Sequence, residues 1–274
     1  MKTSLIAAVL LGVAFTTAIL WSEISFSSSL EVAFFDVGQG DAIFLETPQG
    51  HQVLIDGGPD DTVLLGLNKV MPFWDRTIDL VILTHPDADH ITGLVEVLKR
   101  YEVSHVLWTG VEKDTKSFEA WKQELEREGT KETIATAGQK IRWSQDLKEV
   151  LEILYPQEKP KGNAKTNETS IIAKLIYHKN SVLFSADTTK KIEALLLKEE
   201  KNLKAAILKV AHHGSKTSSS REFLQSVKPL VAVISVGKEN RYGHPHPEIL
   251  ARLHEYGIEI RRTDKEGTIY YYFR

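Results

Sequence analysis

Two imidazoles and two carboxylates lie within the six residues from His85 to His90. The apolar run 80–83 before them predicts a buried strand, and the segment 91–99 after them predicts a helix. Four metal-capable side chains therefore converge on one strand-to-helix junction. Proteins seldom collect such groups at one point without a metal ion among them, so we predict a metal site here.

Other metal-capable side chains also follow predicted strands. They are Asp56, Asp187, the neighbouring pair His212 and His213, and His244. Side chains beyond the ends of several strands of one sheet can meet in a single crevice. We therefore expect these residues to share one site with the segment from His85 to His90.

The order of the predicted elements indicates one α/β domain over residues 30–274, because strands come first and then alternate with helices. The predicted strands are 30–37, 41–47, 52–56, 80–83, 103–108, 151–155, 169–177, 181–185, 205–210, 230–236 and two short strands at the C-terminus. The predicted helices are 60–72, 91–99, 116–128, 190–199, 220–227 and 248–256. Hairpins are predicted within 132–143, around Gly138, and about residues 179–180.

The composition is that of a folded domain with an ordinary surface. The chain has 274 residues, of which 42% are hydrophobic and 26% charged, and its net charge is -3. A nucleic-acid partner would therefore have to bind a local patch rather than a basic surface. The sequence has no cysteine, which excludes disulfides and thiolate ligands and leaves His, Asp and Glu to hold a metal.

The N-terminal residues differ from the rest. After Lys2, the residues from Thr3 to Ser22 carry no charge and are mostly apolar. This length is close to that of a membrane span, so we predict a signal peptide or membrane anchor over 1–24 and a Ser-rich linker over 25–29. A buried core helix is the alternative. An anchor or a cleaved signal would place the domain outside the cytoplasm, either membrane-anchored or secreted.

Several motifs in order resemble the metallo-β-lactamase superfamily, and more narrowly the C-terminal hydrolase domain of the competence DNA-uptake channel ComEC. They are Asp36-Val-Gly-Gln-Gly-Asp41, Asp56-Gly-Gly58, the segment from His85 to His90, Asn167-Glu-Thr-Ser170, Ser185-Ala-Asp187, the segment from Leu208 to Ser215, the segment from Asn240 to Pro245, and the segment from Arg262 to Gly267. The resemblance implies a four-layer αββα sandwich, here preceded by the N-terminal apolar helix.

The resemblance also implies which residues hold metal. The implied ligands to two divalent ions, Mn²⁺ or Zn²⁺, are His85, Asp87, Asp89, His90, Asp187, His212 and His244. Asp187 would bridge the two ions. Asp87 stands where many members of the superfamily have His, which favours Mn²⁺. Because Asn167 or Ser170 stands where a further His is expected, a single-metal form is the alternative.

The resemblance further implies the roles of the remaining residues. Asp89, His212 and His213 are the expected catalytic residues, with Asp89 orienting the attacking water and an imidazole protonating the leaving group. Asp56, Asn167 and Ser170 are expected to order the ligands from behind. Ser215 and Tyr242 are expected to contact the substrate.

Three functions fit these residues. The first is a metal-dependent phosphodiesterase or nuclease, with single-stranded DNA as a possible substrate. The second is an ester or lactone hydrolase of the same fold. The third is a non-catalytic, metal-stabilised DNA-binding module. A membrane contact through the N-terminal segment is expected, and no protein partner is inferred from the sequence.

Overall fold

Two β-sheets carry the part of the chain that the structure, a computed structural model, describes: residues 10, 12, 13, 16, 17, 29–146, 149–160 and 165–274. In these residues each sheet has seven strands, ordered β14-β1-β2-β3-β4-β5-β6 and β13-β12-β11-β10-β9-β8-β7. The strands are β1 Leu30–Phe34, β2 Ile43–Glu46, β3 Gln52–Ile55, β4 Thr77–Leu83, β5 Glu102–Trp108, β6 Lys131–Ile134, β7 Lys140–Ile141, β8 Glu149–Tyr155, β9 Ile172–Tyr177, β10 Asn180–Phe184, β11 Ile207–Lys209, β12 Val231–Ile234, β13 Glu259–Arg262 and β14 Ile269–Phe273.

Seven α-helices accompany these strands within residues 29–274, leaving aside the undescribed positions 147–148 and 161–164. They are α1 Thr62–Val70, α2 Ala88–Leu98, α3 Lys116–Glu128, α4 Lys190–Lys198, α5 Arg221–Val227, α6 Pro247–Glu255 and α7 Thr263–Glu266. Two 3₁₀ turns lie at Thr166–Glu168 and Ala211–Gly214.

Alternation along the strands builds three layers of core. On β4, Val81 and Leu83 pack with α1, α2 and α3, whereas Leu80 and Ile82 face the second sheet. This is the period of two that strand geometry imposes, and here both faces are apolar because both are covered. A third cluster joins the outer face of the second sheet to α4, α5 and α6. The layers are therefore helix, sheet, sheet and helix.

Strand direction places the functional residues at one end of the sheets. β3, β4 and β5 are mutually parallel, and so are β10, β11 and β12. The carboxyl ends of β3 and β4 lead to Asp56 and His85, and those of β10 and β11 lead to Asp187 and His212. The two sheets thus present these ends side by side, which is where open α/β sheets bind ligands.

The mixed α/β fold with two sheets is confirmed, and most predicted elements are present within a few residues. The hairpin predicted within 132–143 is wrong. β6 pairs parallel to β5 in the first sheet, whereas β7 pairs antiparallel to β8 in the second. The chain crosses from the first sheet to the second around Gly138. Ile134 packs on the core between the first sheet and its helices, and Ile141 packs on the core between the two sheets.

The N-terminal apolar segment predicted over 1–24 lies almost entirely outside the described residues, as does the linker apart from Ser29. In the parts of the chain that the structure does describe, no helix has both the length and the apolar composition to cross a bilayer. The predicted anchor or signal peptide stays a prediction.

Glu31 gives the fold a measurable pH dependence. It lies directly opposite Glu46 on β2, and burial and the charge of Glu46 raise the pKa of Glu31 to about 7. The folded chain therefore holds this proton more tightly than the unfolded chain. Its contribution to stability is complete below the unfolded pKa of 4.5 and is lost as the pH rises to about 7.

Glu31→Gln, which cannot ionise, is therefore expected to be more stable than wild type at about pH 8, by about 1 kcal/mol because Glu31 is half-exposed and screened. The advantage should vanish towards pH 4.5, the usual value for this carboxyl. Urea denaturation across this range measures it. Glu126→Gln, at an exposed glutamate, is the matched control. An equal gain in the free energy of unfolding in that variant would show that Glu31 is not the cause.

Candidate metal centre

The turn after β4 carries four metal-capable side chains, which lie on two sides of Asp187. The backbone at Asp87 is extended, α2 begins at the next residue, and His90 N donates to Asp87 O at 3.0 Å. Gly93 lets α2 approach the loop after β3, because a Cβ on Gly93 would stand 1.8 Å from Gly57 O. The first turn of the helix therefore lies against Asp56 and points inward.

Asp56 fixes the orientation of two imidazoles from behind. It is fully buried and accepts hydrogen bonds from Thr84 N at 2.8 Å and Thr84 Oγ1 at 2.7 Å. His90 Nδ1 lies 2.8 Å from Asp56 Oδ2, and His85 Nδ1 lies 3.0 Å from Thr84 Oγ1. The Asp56 carboxylate can only accept, and the Thr84 hydroxyl already donates its proton to Asp56, so both Nδ1 atoms must donate. Both Nε2 atoms therefore keep their lone pairs for the site.

The tightest group consists of Asp89, His90, Asp187 and His213, whose ligating atoms all lie within 4.8 Å of one another. His90 Nε2 is 3.5 Å and His213 Nε2 is 3.6 Å from Asp187 Oδ1. His213 Nε2 is also 3.4 Å from Asp89 Oδ2. His213 Nδ1 donates to Ser235 O at 2.9 Å, so its Nε2 also presents a lone pair.

A second lobe forms around the other oxygen of Asp187. His85 Nε2 lies 4.0 Å and His212 Nε2 lies 3.7 Å from Asp187 Oδ2. Asp87 Oδ2 is 3.9 Å from His85 Nε2, while Asp87 Oδ1 accepts from Lys113 Nζ at 2.8 Å. One carboxylate thus faces two separate pairs of imidazoles, as a carboxylate bridging two cations would.

These separations fit a bound cation better than they fit hydrogen bonds. Nitrogen and oxygen ligands about 2.1 Å from a tetrahedral ion lie about 3.4 Å apart. His85 Nε2, His90 Nε2, His213 Nε2 and Asp187 Oδ1 are all buried without a hydrogen-bond partner among the described residues. Buried polar atoms are almost always satisfied, so these four unpaired atoms around the Asp187 carboxylate fit divalent metal binding.

Carboxylates dominate the electrostatic field at His90 and His213. Burial alone would raise the pKa of Asp187, but His213 and His90 hold it well below its usual range. Burial alone would lower the pKa values of His90 and His213, but Asp187 and its fellow carboxylates raise both. A field that favours positive charge on buried imidazoles equally favours a divalent cation between them.

The loops that carry these ligands are conformationally strained. Asp56, Ala186, His212 and His213 have φ of 58°, 41°, 50° and 54°, in the left-handed region that most residues avoid. His212 N donates to Ala186 O at 2.9 Å, which ties two of these strained turns together. Strain of this kind persists where surrounding structure enforces it, and it clusters at functional sites.

A buried ion pair lies directly beneath His213 and was not among the predicted site residues. Lys209 Nζ pairs with Asp41 Oδ2, and both side chains are at most 1% exposed. The other oxygen of Asp41 lies 3.5 Å from His213 Nδ1. Two features of the sequence could have indicated this pair. Asp41 is the last residue of the glycine-rich motif 36–41, and Lys209 is a charged residue within the apolar predicted strand 205–210. Thr84 was likewise missed.

The remaining predicted residues lie around the cluster. His244 is beside it, with ring centroids 5.7 Å from His212 and 6.4 Å from His213. Ser170 is buried, and Asn167 accepts from Thr166, a residue that also bonds Asp87. Ser215 is buried and bonds Thr217, which contacts His212 Nδ1 at 3.2 Å.

Tyr242 is half-exposed and stacks on His244, with ring centroids 5.6 Å apart and an interplanar angle of 22°. The guanidinium of Arg241 lies 4.9 Å from the centre of the Tyr242 ring. Burial together with His213 and His212 lowers the pKa of His244 to about 4, so this imidazole is uncharged at neutral pH. The mouth of the site therefore presents a flat aromatic face with one cation.

The family model of the metallo-β-lactamase superfamily matches residues 35–238. The chain belongs to this superfamily. Together with the Asp and His cluster, this membership supports a metal-dependent hydrolase with a divalent metal centre. The motif-based resemblance to the superfamily and to ComEC-like competence proteins is confirmed.

Three curated relatives illustrate the similarity. ComE operon protein 3 of Bacillus subtilis is 31% identical over 90% of this chain and 34% of its own length. Recombination protein 2 of Haemophilus influenzae is 31% identical over 92% of this chain and 30% of its own length. Competence protein ComA of Neisseria gonorrhoeae is 30% identical over 87% of this chain and 31% of its own length. The chain thus spans about a third of the length of these relatives.

Solved structures share the fold. YhfI of Bacillus subtilis, a metallo-β-lactamase fold protein, matches with a TM-score of 0.56 at 12% identity, covering 89% of this chain and all of its own. Zn²⁺-bound PqqB of Methylobacterium extorquens matches with a TM-score of 0.54 at 12% identity, covering 84% of this chain and 87% of its own. At these identities the likeness concerns the architecture alone.

Proposed function

We propose that this protein is a metal-dependent phosphodiesterase acting outside the cytoplasm on single-stranded nucleic acid. The observation that carries the proposal is Asp187, whose two carboxylate oxygens face two separate imidazole pairs. Two ions on such a bridge would clamp the attacking and leaving oxygens of an in-line displacement at phosphorus. The apolar run before residue 23 supports the location outside the cytoplasm.

The ligand set divides between two lobes. We assign Asp89, His90 and His213 to one ion, His85, Asp87 and His212 to the other, and Asp187 to both. This set contains three carboxylates, which favours Mn²⁺, although Lys113 neutralises part of the charge on Asp87. Bound divalent ions lower the pKa of a coordinated water towards ~7 and so supply hydroxide at neutral pH.

The chain's own residues orient the reaction. Asp89, with the oxygen that faces His213, holds the attacking water in line. His244, which is not in the ligand set, protonates the leaving oxygen. Ser215 holds the His212 turn in place through Thr217.

The mouth of the site supports a nucleic-acid substrate. Stacking on aromatic rings and cation–π contact with Arg bind unpaired bases regardless of sequence. Tyr242, which is half-exposed, stacks on His244 and lies within cation–π distance of Arg241, so this group offers such a platform beside the cluster. Duplex bases are stacked on each other and would not reach it.

Hydrolysis of bis-p-nitrophenyl phosphate and of single-stranded DNA, measured with added Mn²⁺ and with added Zn²⁺, tests the proposal. Metal content is measured on the same samples. Turnover lost in Asp89→Asn, with metal retained, supports it. Bound metal without turnover of either substrate rejects phosphodiester hydrolysis, and an ester and lactone panel then tests the other hydrolase. Metal-dependent DNA retention that is unchanged in Asp89→Asn would identify a binding module.

Tyr242→Ala is expected to raise KM for single-stranded DNA about tenfold, because one stacked base contributes about 1–3 kcal/mol. The kcat for bis-p-nitrophenyl phosphate should stay unchanged, since that substrate has no base to stack. Tyr242→Phe, which keeps the ring, is the matched control and should retain the wild-type KM. A KM increase in both variants would assign the effect to the hydroxyl instead.

A further inference from the structure

The end of the sheets opposite the metal centre exposes large apolar side chains. The metal centre lies beyond the carboxyl ends of β4 and β11. Phe73 and Trp74 come just before β4, and Leu230 just before β12, which is parallel to β11. Tyr272 pairs with Glu31 near the start of β1. These four exposed residues therefore lie at the end of the sheets that we call the distal end.

Phe73 and Trp74 form the most exposed aromatic pair of the described chain. They are 78% and 61% exposed, and their rings meet edge to face at 4.9 Å. A turn closed by Asp75 N donating to Pro72 O at 3.0 Å presents them. Adjacent exposed rings of this size mark interaction surfaces, and Trp prefers the interface between hydrocarbon and water.

A basic cavity of about 380 Å³ adjoins this turn in sequence and lies at the same end. It is lined by Leu64, Asn68, Arg76, Arg100 and Tyr101. Arg76 donates to the Tyr101 hydroxyl at 2.8 Å and to the Asn68 amide oxygen at 3.3 Å, and neither partner carries charge. Arg100 shares the carboxylate of Glu96 with Lys99. The cavity is therefore net positive and large enough for a phosphate group.

The chain enters the sheets at the distal end as well. β1 is antiparallel to β2, which is antiparallel to β3, so β1 and β3 run in the same direction. Leu30 at the start of β1 is therefore at the end opposite Asp56. The uncharged sequence from Thr3 to Ser22 comes before it. Seven chain steps separate Ser22 from Ser29, and they span at most about 25 Å.

We propose that the Phe73–Trp74 turn and the basic cavity dock on an anionic lipid bilayer, at the part of the distal end away from Glu31 and Glu46. Phe73 and Trp74 enter the interfacial layer, and a lipid phosphate binds between Arg76 and Arg100. β1, which follows the apolar N-terminal sequence, begins at the same end, so one membrane would account for all three features. In this orientation the metal centre faces away from the bilayer, open to substrate in solution.

Hydrogen exchange of the full chain in bilayer nanodiscs tests this orientation. Discs of phosphatidylcholine are compared with discs that also contain phosphatidylglycerol. The amides of residues 71–76 should exchange about 25-fold more slowly with the anionic lipid, since each of the two Arg near the surface gains about a factor of five. High salt should reverse that gain, and inorganic phosphate in solution should not reproduce it.

Two variants separate the contributions. Phe73→Ser with Trp74→Ser should lose protection in both kinds of disc, and Arg100→Gln should lose only the part due to phosphatidylglycerol. Arg221→Gln, which breaks a comparable surface pair with Glu255, is the matched control and should behave as wild type. Exchange of residues 71–76 that does not respond to lipid overturns the proposal. Protection that follows protein concentration instead would assign the surface to a second copy.

Discussion

Asp187→Asn is expected to abolish hydrolysis and to lower the metal content of the protein. An amide keeps the shape of the side chain but loses the charge, and its nitrogen cannot serve one of the two imidazole pairs. We expect kcat/KM for a phosphodiester to fall about a thousandfold or more, the scale typical of losing electrostatic stabilisation in the transition state. Activity and metal content after dialysis are measured on the same preparation.

The control for this variant is Asp61→Asn. Asp61 precedes α1, is exposed, and makes no side-chain capping bond, so its amide should leave metal content and kcat/KM unchanged. Far-UV circular dichroism distinguishes lost metal from lost fold. Full activity in Asp187→Asn would show that no bridging carboxylate is required at this position, and it would contradict the proposed function.

Lys209→Met is expected to destabilise the protein by about 3–5 kcal/mol, because it leaves the buried charge of Asp41 without a partner. Both side chains are at most 1% exposed, so no water can take the place of the ammonium group. The loss should extend to metal affinity, since Asp41 lies against the imidazole of His213. Chemical denaturation and metal titration measure the two effects.

A double variant separates charge from shape. Lys209→Met combined with Asp41→Asn removes both charges and should recover most of the lost stability, because replacing a buried pair by neutral groups is often nearly neutral. Surface Lys122→Met, which breaks the exposed pair with Glu132, should cost under about 1 kcal/mol. If Lys209→Met costs no more than that control, the buried pair has no structural role.

The sequence predicted the fold where local patterns and core packing agree. α3 was predicted over 116–128, and it forms over those residues because Thr115 caps its start and Gly129, at φ 66°, ends it. The crossing at 132–143 was missed because a hairpin and a change of sheet look alike locally. Which sheet receives β7 depends on its pairing with β8, and no local pattern encodes that pairing.

The predicted ligands come together for the reason given from the sequence, since the ends of the strands in both sheets meet. What spacing did not reveal is how each imidazole is oriented. Thr84 relays the charge of Asp56 to His85, and Ser235 orients His213 through a backbone carbonyl. Contacts of this kind depend on tertiary packing. His213, expected to support the ligands, lies in the tightest group of ligating atoms. Its role as a ligand stays a proposal.

The buried pair of Asp41 and Lys209 joins residues 168 positions apart, and the ligands extend from His85 to His213 along the chain. During synthesis, no shorter stretch of the growing polypeptide holds both walls of the centre. Metal uptake must therefore follow translation and near-complete folding. Because a site of nitrogen and oxygen ligands binds Zn²⁺ intrinsically more tightly than Mn²⁺, the ions available in the compartment where folding finishes would decide which one the mature protein carries.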